Sequence, residues 1–504
     1  MFSKTYAAAI RGVDALLVQV EADISDGLPG LELVGFLASE LREAKERVRV
    51  AIHNAGIALP PKKITVNLSP ADVRKEGTAF DLAIAVAILT ASGHLSEELI
   101  RQTMFVGELS LDGCLNPVNG ILPIACCAKE CGITRLVVPE KNRAEAGVTG
   151  MPAVWGCGTL SQVMGLLSGN VPHLTKEEEE RKEETPAALP DFSEICGQQA
   201  AKRAIEVAVS GGHNLLFVGS PGSGKTMLAK CIPSIMPELT FEESLELSKI
   251  YSVSGKLTAG EGLMKTRPFQ APHHSVTAAA MAGGGRMPKP GQVSLATHGV
   301  LFLDELPEFE RHTIELLRQP LEERKITVSR VADSCDYPAA FMFVAAMNPC
   351  PCGAFPDRKR CRCSEPQIRR YQSKISRAVL DRIDLFLRIA PVAYEELRRA
   401  GAGERETSAV IRARVANARK VQQKRYEGLA IRTNAELSAK QLARFCPLAP
   451  EGEELLKEAF FRYGLSARAC HRLIRVARTI ADMDGEENIG TGHLYEAAGY
   501  RSEM

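Results

Sequence analysis

Gly219-Ser-Pro-Gly222-Ser-Gly224-Lys225-Thr226 ends an apolar run, His213-Asn-Leu-Leu-Phe-Val, and its residue types suit the binding of a nucleoside triphosphate. Glycines let the chain bend until successive N–H groups converge on phosphate oxygens. A lysine then reaches the outer phosphates, and a threonine hydroxyl can ligate magnesium. The expected contacts are Gly219, Ser220, Pro221, Gly222, Ser223, Gly224, Lys225 and Thr226. A second apolar run, Gly299-Val-Leu-Phe-Leu, ends in Asp304-Glu305. Asp304 is expected to hold magnesium with Thr226, and Glu305 to polarise an attacking water. A third run, Phe341-Met-Phe-Val-Ala-Ala-Met347, ends in Asn348, an amide suited to orienting that water. Together these runs imply hydrolysis of ATP with magnesium.

Runs of four to seven apolar residues that end in polar turns read as buried strands of one α/β sheet. A chain of 504 residues outgrows a single core, so about two to four domains are expected. With Lys+Arg 62 against Asp+Glu 61 there is no overall basic field, and any nucleic-acid contact must come from a local patch or channel. Met1 to Val20 carries Arg11 and Asp14 and does not read as a secretion signal. No apolar run reaches the ~18 residues of a membrane span, so a cytoplasmic protein without a membrane partner is expected. Of fourteen cysteines, Cys126, Cys127, Cys231 and Cys470 read as small core residues of a reducing compartment.

Residues 1–172 read as an α+β domain, with strands at Val18–Val20, Leu31–Val34, Ile64–Leu68 and Thr103–Leu109 and helices at Ser39–Ala55 and Ala79–Thr90. The charge run Thr175–Thr185 marks 173–190 as a linker. Within the front domain, Arg74-Lys-Glu-Gly-Thr-Ala79-Phe-Asp81, Gly107-Glu-Leu-Ser-Leu-Asp-Gly113, Pro117-Val-Asn-Gly120 and Val137-Val-Pro-Glu-Lys-Asn142 resemble the proteolytic domain of the Lon family. That family works with a Ser–Lys dyad. The resemblance puts Ala79 at the serine position and Leu122 at the lysine position, which leaves neither a hydroxyl nor an amine for attack. A Lon-like fold without its chemistry is therefore expected, with Arg74 and Lys75 as surface charges.

The nucleotide module is expected over 191–391. A capping box at Thr240–Glu243 opens a helix to about Ile250. Between Arg267 and Gly291 the density of proline and glycine signals an irregular excursion, and its His273 and His274 are expected to meet a polymer rather than a metal. Ile326–Pro338 reads as a hairpin with Arg330 near its turn, open between a phosphate contact and a surface ion pair. Cys350-Pro-Cys352 and Cys361-Arg-Cys363 enclose a short loop and can offer four thiolates to zinc; a redox pair and free thiols remain alternatives. Residues 392–504 read as a helical lid. In it Ser408 caps a helix through Gln423, and Leu465–Ile480 forms another that lines Arg468, Arg472 and Arg475 on one face.

Arg267 through Leu301-Phe-Leu-Asp304-Glu305-Leu-Pro-Glu-Phe309, followed by Leu317-Arg-Gln-Pro-Leu-Glu322, resembles the magnesium-chelatase-like AAA+ ATPases. With the Lon-like front domain, the chain is similar over its length to the ComM/YifB family. That resemblance implies an AAA+ parallel-sheet core, an insertion in its second helix, and a homo-hexamer formed with nucleotide and DNA. It also implies a hairpin projecting into a pore, and ATP-driven branch migration of DNA in natural transformation. Arg382, in Leu380-Asp-Arg-Ile-Asp384, takes the arginine-finger position of that clade, with an ion pair to Asp381 or Asp384 as the alternative, and Arg468 the second-sensor position. A chelatase-type motor and a polypeptide-remodelling ATPase or scaffold stand as alternative functions.

Overall fold

The computed structural model describes residues 1–169, 189–258, 260, 262–285, 289–329, 334–391 and 405–501. Residues 170–188, which include most of the expected linker 173–190, the hairpin turn with Arg330, Pro288 and residues 392–404 lie outside the described residues. The chain divides into two units. The first joins the front of the chain to Phe241–Met264, and the second holds the remainder.

In the first unit, strands β1 (Phe2–Arg11), β2 (Asp14–Ser25), β3 (Gly30–Val34), β4 (Lys63–Ser69), β5 (Thr103–Phe105), β6 (Arg135–Pro139) and β7 (Ala153–Cys157) form one sheet ordered β3-β4-β2-β1-β5-β6-β7. β4 buries Ile64, Val66 and Leu68 on one face, the alternation that its sequence shows. The helices α1 (Ser39–Asn54), α2 (Asp81–Ala91) and α3 (Ile121–Glu130) accompany the sheet. Leu82 through Leu89 of α2 are all buried, as a helix apolar all round requires. It begins at Asp81 rather than Ala79, because the Ala79 carbonyl is taken by the Gly107 N–H at 2.9 Å. The same bond ends the strand expected over Thr103–Leu109 at Phe105, and Glu108–Leu109 pairs instead with Leu115–Asn116.

Two expectations for this unit need correction. Lys75 is wholly buried. Its backbone pairs with Phe36 and Ala38, which draws the side chain inward, and its Nζ donates to the Pro70 carbonyl. Burial pulls this ammonium below the ordinary lysine range. The helix that follows the cradle, Phe241–Ser254, packs with the first unit although its neighbours in sequence belong to the second. The Gly120 N–H donates to Ser252 O at 3.1 Å, Ser252 Oγ to Glu145 Oε1 at 2.5 Å, and Lys249 Nζ to Asp14 Oδ1 at 3.0 Å.

In the second unit, β8 (Leu215–Gly219), β9 (Phe269–Gln270), β10 (Val300–Leu303), β11 (Met342–Met347) and β12 (Leu385–Ile389) form a parallel sheet ordered β9-β10-β11-β8-β12. β10 and β11 are buried throughout, which is why they read as unbroken apolar runs. Helices α4 (Gln199–Gly211) and α5 (Lys225–Ile235) flank β8 in sequence. The C-terminal part is helical, with α6 (Ser408–Arg425), α7 (Pro450–Tyr463), α8 (Ala467–Asp484) and α9 (Thr491–Gly499). One apolar cluster runs from the sheet into these helices, joining Leu215 and Phe217 to Ile411, Val415, Leu473 and Ile480. Among the described residues no helix is long and apolar enough to cross a membrane.

Candidate nucleotide site

The sheet order determines where chemistry can happen. β10, β11 and β8 are neighbours running in one direction, with Leu303 level with Ala345 and Val218 level with Met347. Their C-terminal ends therefore deliver Asp304–Glu305, Asn348 and the cradle to a single crevice, the position at which parallel sheets bind ligands.

Within it, Lys225 Nζ donates to Gly219 O at 2.8 Å, Ser220 O at 2.9 Å and Asn348 Oδ1 at 3.3 Å. The lysine is 8% exposed, and burial lowers its pKa while Asp304 and Glu305 oppose that shift. Thr226 Oγ1 donates to Asp304 Oδ2 at 2.6 Å, so the two oxygens expected to share magnesium already touch. Gly222 and Gly224 sit at φ +76 and +90, and an added Cβ at either meets nothing within 4 Å among the described residues. The loop therefore presents an open concave face. Ser223 Oγ is buried and has no hydrogen-bond partner among the described residues. An anion cradle, a positive charge and a paired hydroxyl and carboxylate make a site that fits a nucleoside triphosphate with magnesium.

Glu305 adopts φ +52, and its N–H donates to Asp304 Oδ1 at 2.9 Å. Of His273 and His274, expected from the sequence at a polymer, the structure sets His274 beside this carboxylate with His273 next to it. His274 Nδ1 lies 3.8 Å from Glu305 Oε2, its ring stands 3.9 Å from that of His273, and Phe309 meets it edge-on at 6.4 Å.

The two arginines differ in presentation. Arg468 is exposed on the first turn of α8, behind the Ser466 cap. Arg382 is folded inward at 8% exposure, donating from Nη2 to Glu322 and from Nη1 to the Ala378 carbonyl, with Nε unpartnered among the described residues. Buried Val379 and Ile383 on either side hold its turn against the core.

Sequence reasoning overlooked a polar node at the other end of the sheet, where these strands begin. Asp384 Oδ2 accepts the Asn214 N–H at 3.0 Å and lies 3.7 Å from His213 Nδ1, while Oδ1 is 3.5 Å from Arg472 Nε. Burial pushes this carboxyl up, but the His213 ring, the Arg472 guanidinium and the Asn214 N–H outweigh it and hold its pKa at about 2. Asn214 also donates to Arg382 O at 2.8 Å and accepts from Phe343 N at 3.0 Å, which ties together the starts of β8, β11 and β12. The signal in the sequence was the acid two residues after Arg382, read there as a partner for that arginine.

The four cysteines meet. Cys350, Cys352, Cys361 and Cys363 present sulfurs within 4.8 Å of one another, with Cys350 to Cys352 at 3.4 Å, Cys350 to Cys361 at 3.8 Å and Cys352 to Cys361 at 3.7 Å. A tetrahedron of zinc–thiolate bonds of ~2.3 Å has edges near 3.8 Å, so the donor set fits a tetrahedral metal.

In the first unit, Leu122 is buried and its N–H donates to Glu145 Oε1 at 2.9 Å, while Thr78 beside Ala79 donates its hydroxyl to Glu108. The hydroxyl next to the vacant serine position is thus committed elsewhere.

Comparison with known proteins agrees with this geometry. Residues 191–397 match the family described as magnesium chelatase, subunit ChlI; 20–142 match subunit ChlI of Mg-chelatase; and 405–501 match the C-terminal part of that subunit. The chain is 43% identical to competence protein ComM of Haemophilus influenzae over 501 residues, 99% of this chain and 97% of that protein. It is 42% identical to the uncharacterised protein YifB of Escherichia coli, across 99% and 97% of the two chains. The Lon protease of Mycolicibacterium smegmatis is 23% identical over 144 residues, 27% of this chain and 18% of that protein. The chain belongs to the ComM/YifB family of magnesium-chelatase-like AAA+ ATPases, with a Lon-like front domain that lacks the Ser–Lys dyad.

Proposed function

We propose that this ATPase is a ring motor on DNA, six copies of which assemble with nucleotide and polynucleotide in the cytoplasm and drive branch migration in transformation or recombination. The observation that carries the ATP half is the meeting of Lys225, Thr226, Asp304 and Asn348 at the ends of adjacent strands. The DNA half draws on the full-length similarity to a protein named for competence.

Magnesium bound between Thr226 and Asp304 would offset phosphate charge. Lys225 neutralises the outer phosphates, Glu305 polarises the attacking water, and Asn348 orients it. His274 stands beside Glu305, so movement of the Arg267–Gly285 segment reaches the catalytic carboxylate directly. In this reading Arg382 acts on the neighbouring copy's nucleotide after leaving Glu322, Arg468 reaches its own copy's nucleotide from the lid, and Arg330 meets a backbone phosphate. Cys350, Cys352, Cys361 and Cys363 would hold structural zinc, which would supply a cross-link and no reaction step.

A chelatase-type motor is the second reading, supported by the family matches across both units. Four-way and forked DNA assayed with ATP, together with DNA-stimulated hydrolysis that weakens at high salt, separates the two. Hydrolysis indifferent to every DNA tested would overturn the proposal and favour the second reading.

A further inference from the structure

The cysteine loop begins two residues after Asn348 and returns to the nucleotide crevice. Gly353, on its first turn, sits at φ +78 with its N–H on the Cys350 carbonyl at 2.9 Å. A Cβ built there would stand 2.4 Å from Cδ and 2.9 Å from Cγ of Pro221, a residue of the cradle itself. The far end of the loop is drawn back as well. The helix Glu365–Gln372, which follows Cys363, donates from Gln372 Nε2 to the Pro349 carbonyl at 3.2 Å. Cys350 is fully buried and packs with Cys361 and Ile368. Sensor, knuckle and cradle thus form a closed loop of contacts: Asn348 to Cys350 through the chain, Gly353 against Pro221, and Lys225 back to Asn348 at 3.3 Å.

We propose that the cysteine knuckle is a positioning element for the nucleotide cradle: its tetrahedral closure seats Gly353 against Pro221 and holds the phosphate loop and Asn348 at catalytic spacing. The proposal rests on the metal reading above. Close packing transmits small displacements, and a misplacement of about 1 Å at a reacting group can cost about a hundredfold in rate. In Gly353→Ala, moving Pro221 Cδ from 2.4 Å off the added Cβ to ordinary carbon contact at ~3.5 Å is a displacement of that size. The knuckle residues touch no reacting atom in this scheme; they act through the cradle and Asn348.

The test uses the full chain and reads metal content and binding of a fluorescent ATP analogue separately from turnover. Gly353→Ala is compared with Gly428→Ala, a glycine at the same φ of +78 whose Cβ meets nothing within 4 Å. Backbone strain is then common to both variants and the Pro221 contact is not. Expected results are one zinc per chain, its loss in Cys361→Ser/Cys363→Ser, and about tenfold weaker nucleotide binding in that variant and in Gly353→Ala, but not in Gly428→Ala. Circular dichroism must show the core helices retained. Loss of zinc with nucleotide affinity intact, and Gly353→Ala binding like Gly428→Ala, would overturn the positioning role while leaving the metal in place. Absence of zinc with four freely titrating thiols would remove the metal reading. In that case, weakened binding by Gly353→Ala alone would still uphold the contact with the cradle, and unchanged binding would overturn it.

Discussion

Mixing two inactive variants is the sharpest test of how Arg382 works. Arg382→Ala removes a guanidinium that the structure shows turned inward onto Glu322. If that group completes the neighbouring copy's site, turnover per assembled ring falls by about a thousandfold or more, the scale of an arginine finger. Lys225→Ala removes the cradle's charge and is inactive for a different reason. In a random mixture of the two, about a quarter of interfaces pair an intact cradle with an intact finger, so turnover recovers to about that fraction. A residue acting only within its own copy gives no recovery. Glu322 supplies a second arm. It is 54% exposed, so its pair with Arg382 contributes about 0.5–1 kcal/mol, and Glu322→Gln should release the arginine and raise turnover by about two- to fivefold. The assay is steady-state phosphate release at saturating ATP and DNA, with assembly followed by light scattering. Normal turnover by Arg382→Ala, or a mixture no better than the sum of its parts, refutes the reasoning.

Lys225→Ala deletes three charge-assisted donors from the loop and should weaken ATP binding about a hundredfold or more, read by titration with a fluorescent analogue. Glu305→Gln leaves the Thr226–Asp304 pair intact and should bind ATP normally while hydrolysing it at least about a hundredfold more slowly in single-turnover measurements. Asp384 gives a dependence on pH. Its folded pKa of about 2 lies below the ordinary aspartate value of 3.8, so the stabilisation is complete above pH 3.8 and disappears as pH falls towards 2. The difference corresponds to about 2 kcal/mol, and Asp384→Asn should lose that part of the acid sensitivity in urea unfolding followed between pH 5 and pH 2.5. His274→Ala should alter the coupling of DNA to hydrolysis more than basal binding of ATP. Equal hydrolysis with and without DNA in wild type and variant alike would count against a link through Glu305.

Chemistry was legible where local order carries it. Gly219 to Thr226, the acids after Leu303 and the amide after Met347 each depend on a short run of residues at the end of a buried strand, and an apolar run with its polar terminus is visible in one dimension. The vacant dyad positions, Ala79 and Leu122, are likewise matters of residue identity. Folding decided what depends on partners distant in the chain. Lys75 reads as a surface charge until its backbone pairs with Phe36 and Ala38 and carries it inside. Arg382 reads as a presented finger, yet it is held by an acid 60 residues earlier. Asp384 becomes the centre of a buried polar node at the strand starts only because His213 and Arg472 arrive from β8's approach and from α8. The helix Phe241–Ser254 follows the cradle in sequence but packs with the front domain, since Ser252 and Lys249 find their partners there. Sequence by itself determined which groups could bind and cleave a triphosphate, because strand periodicity and residue type are local properties. Tertiary structure alone decided which charges are buried, which are held in reserve, and that the cysteine loop leans on the cradle, because those depend on contacts between segments that no spacing in the chain encodes.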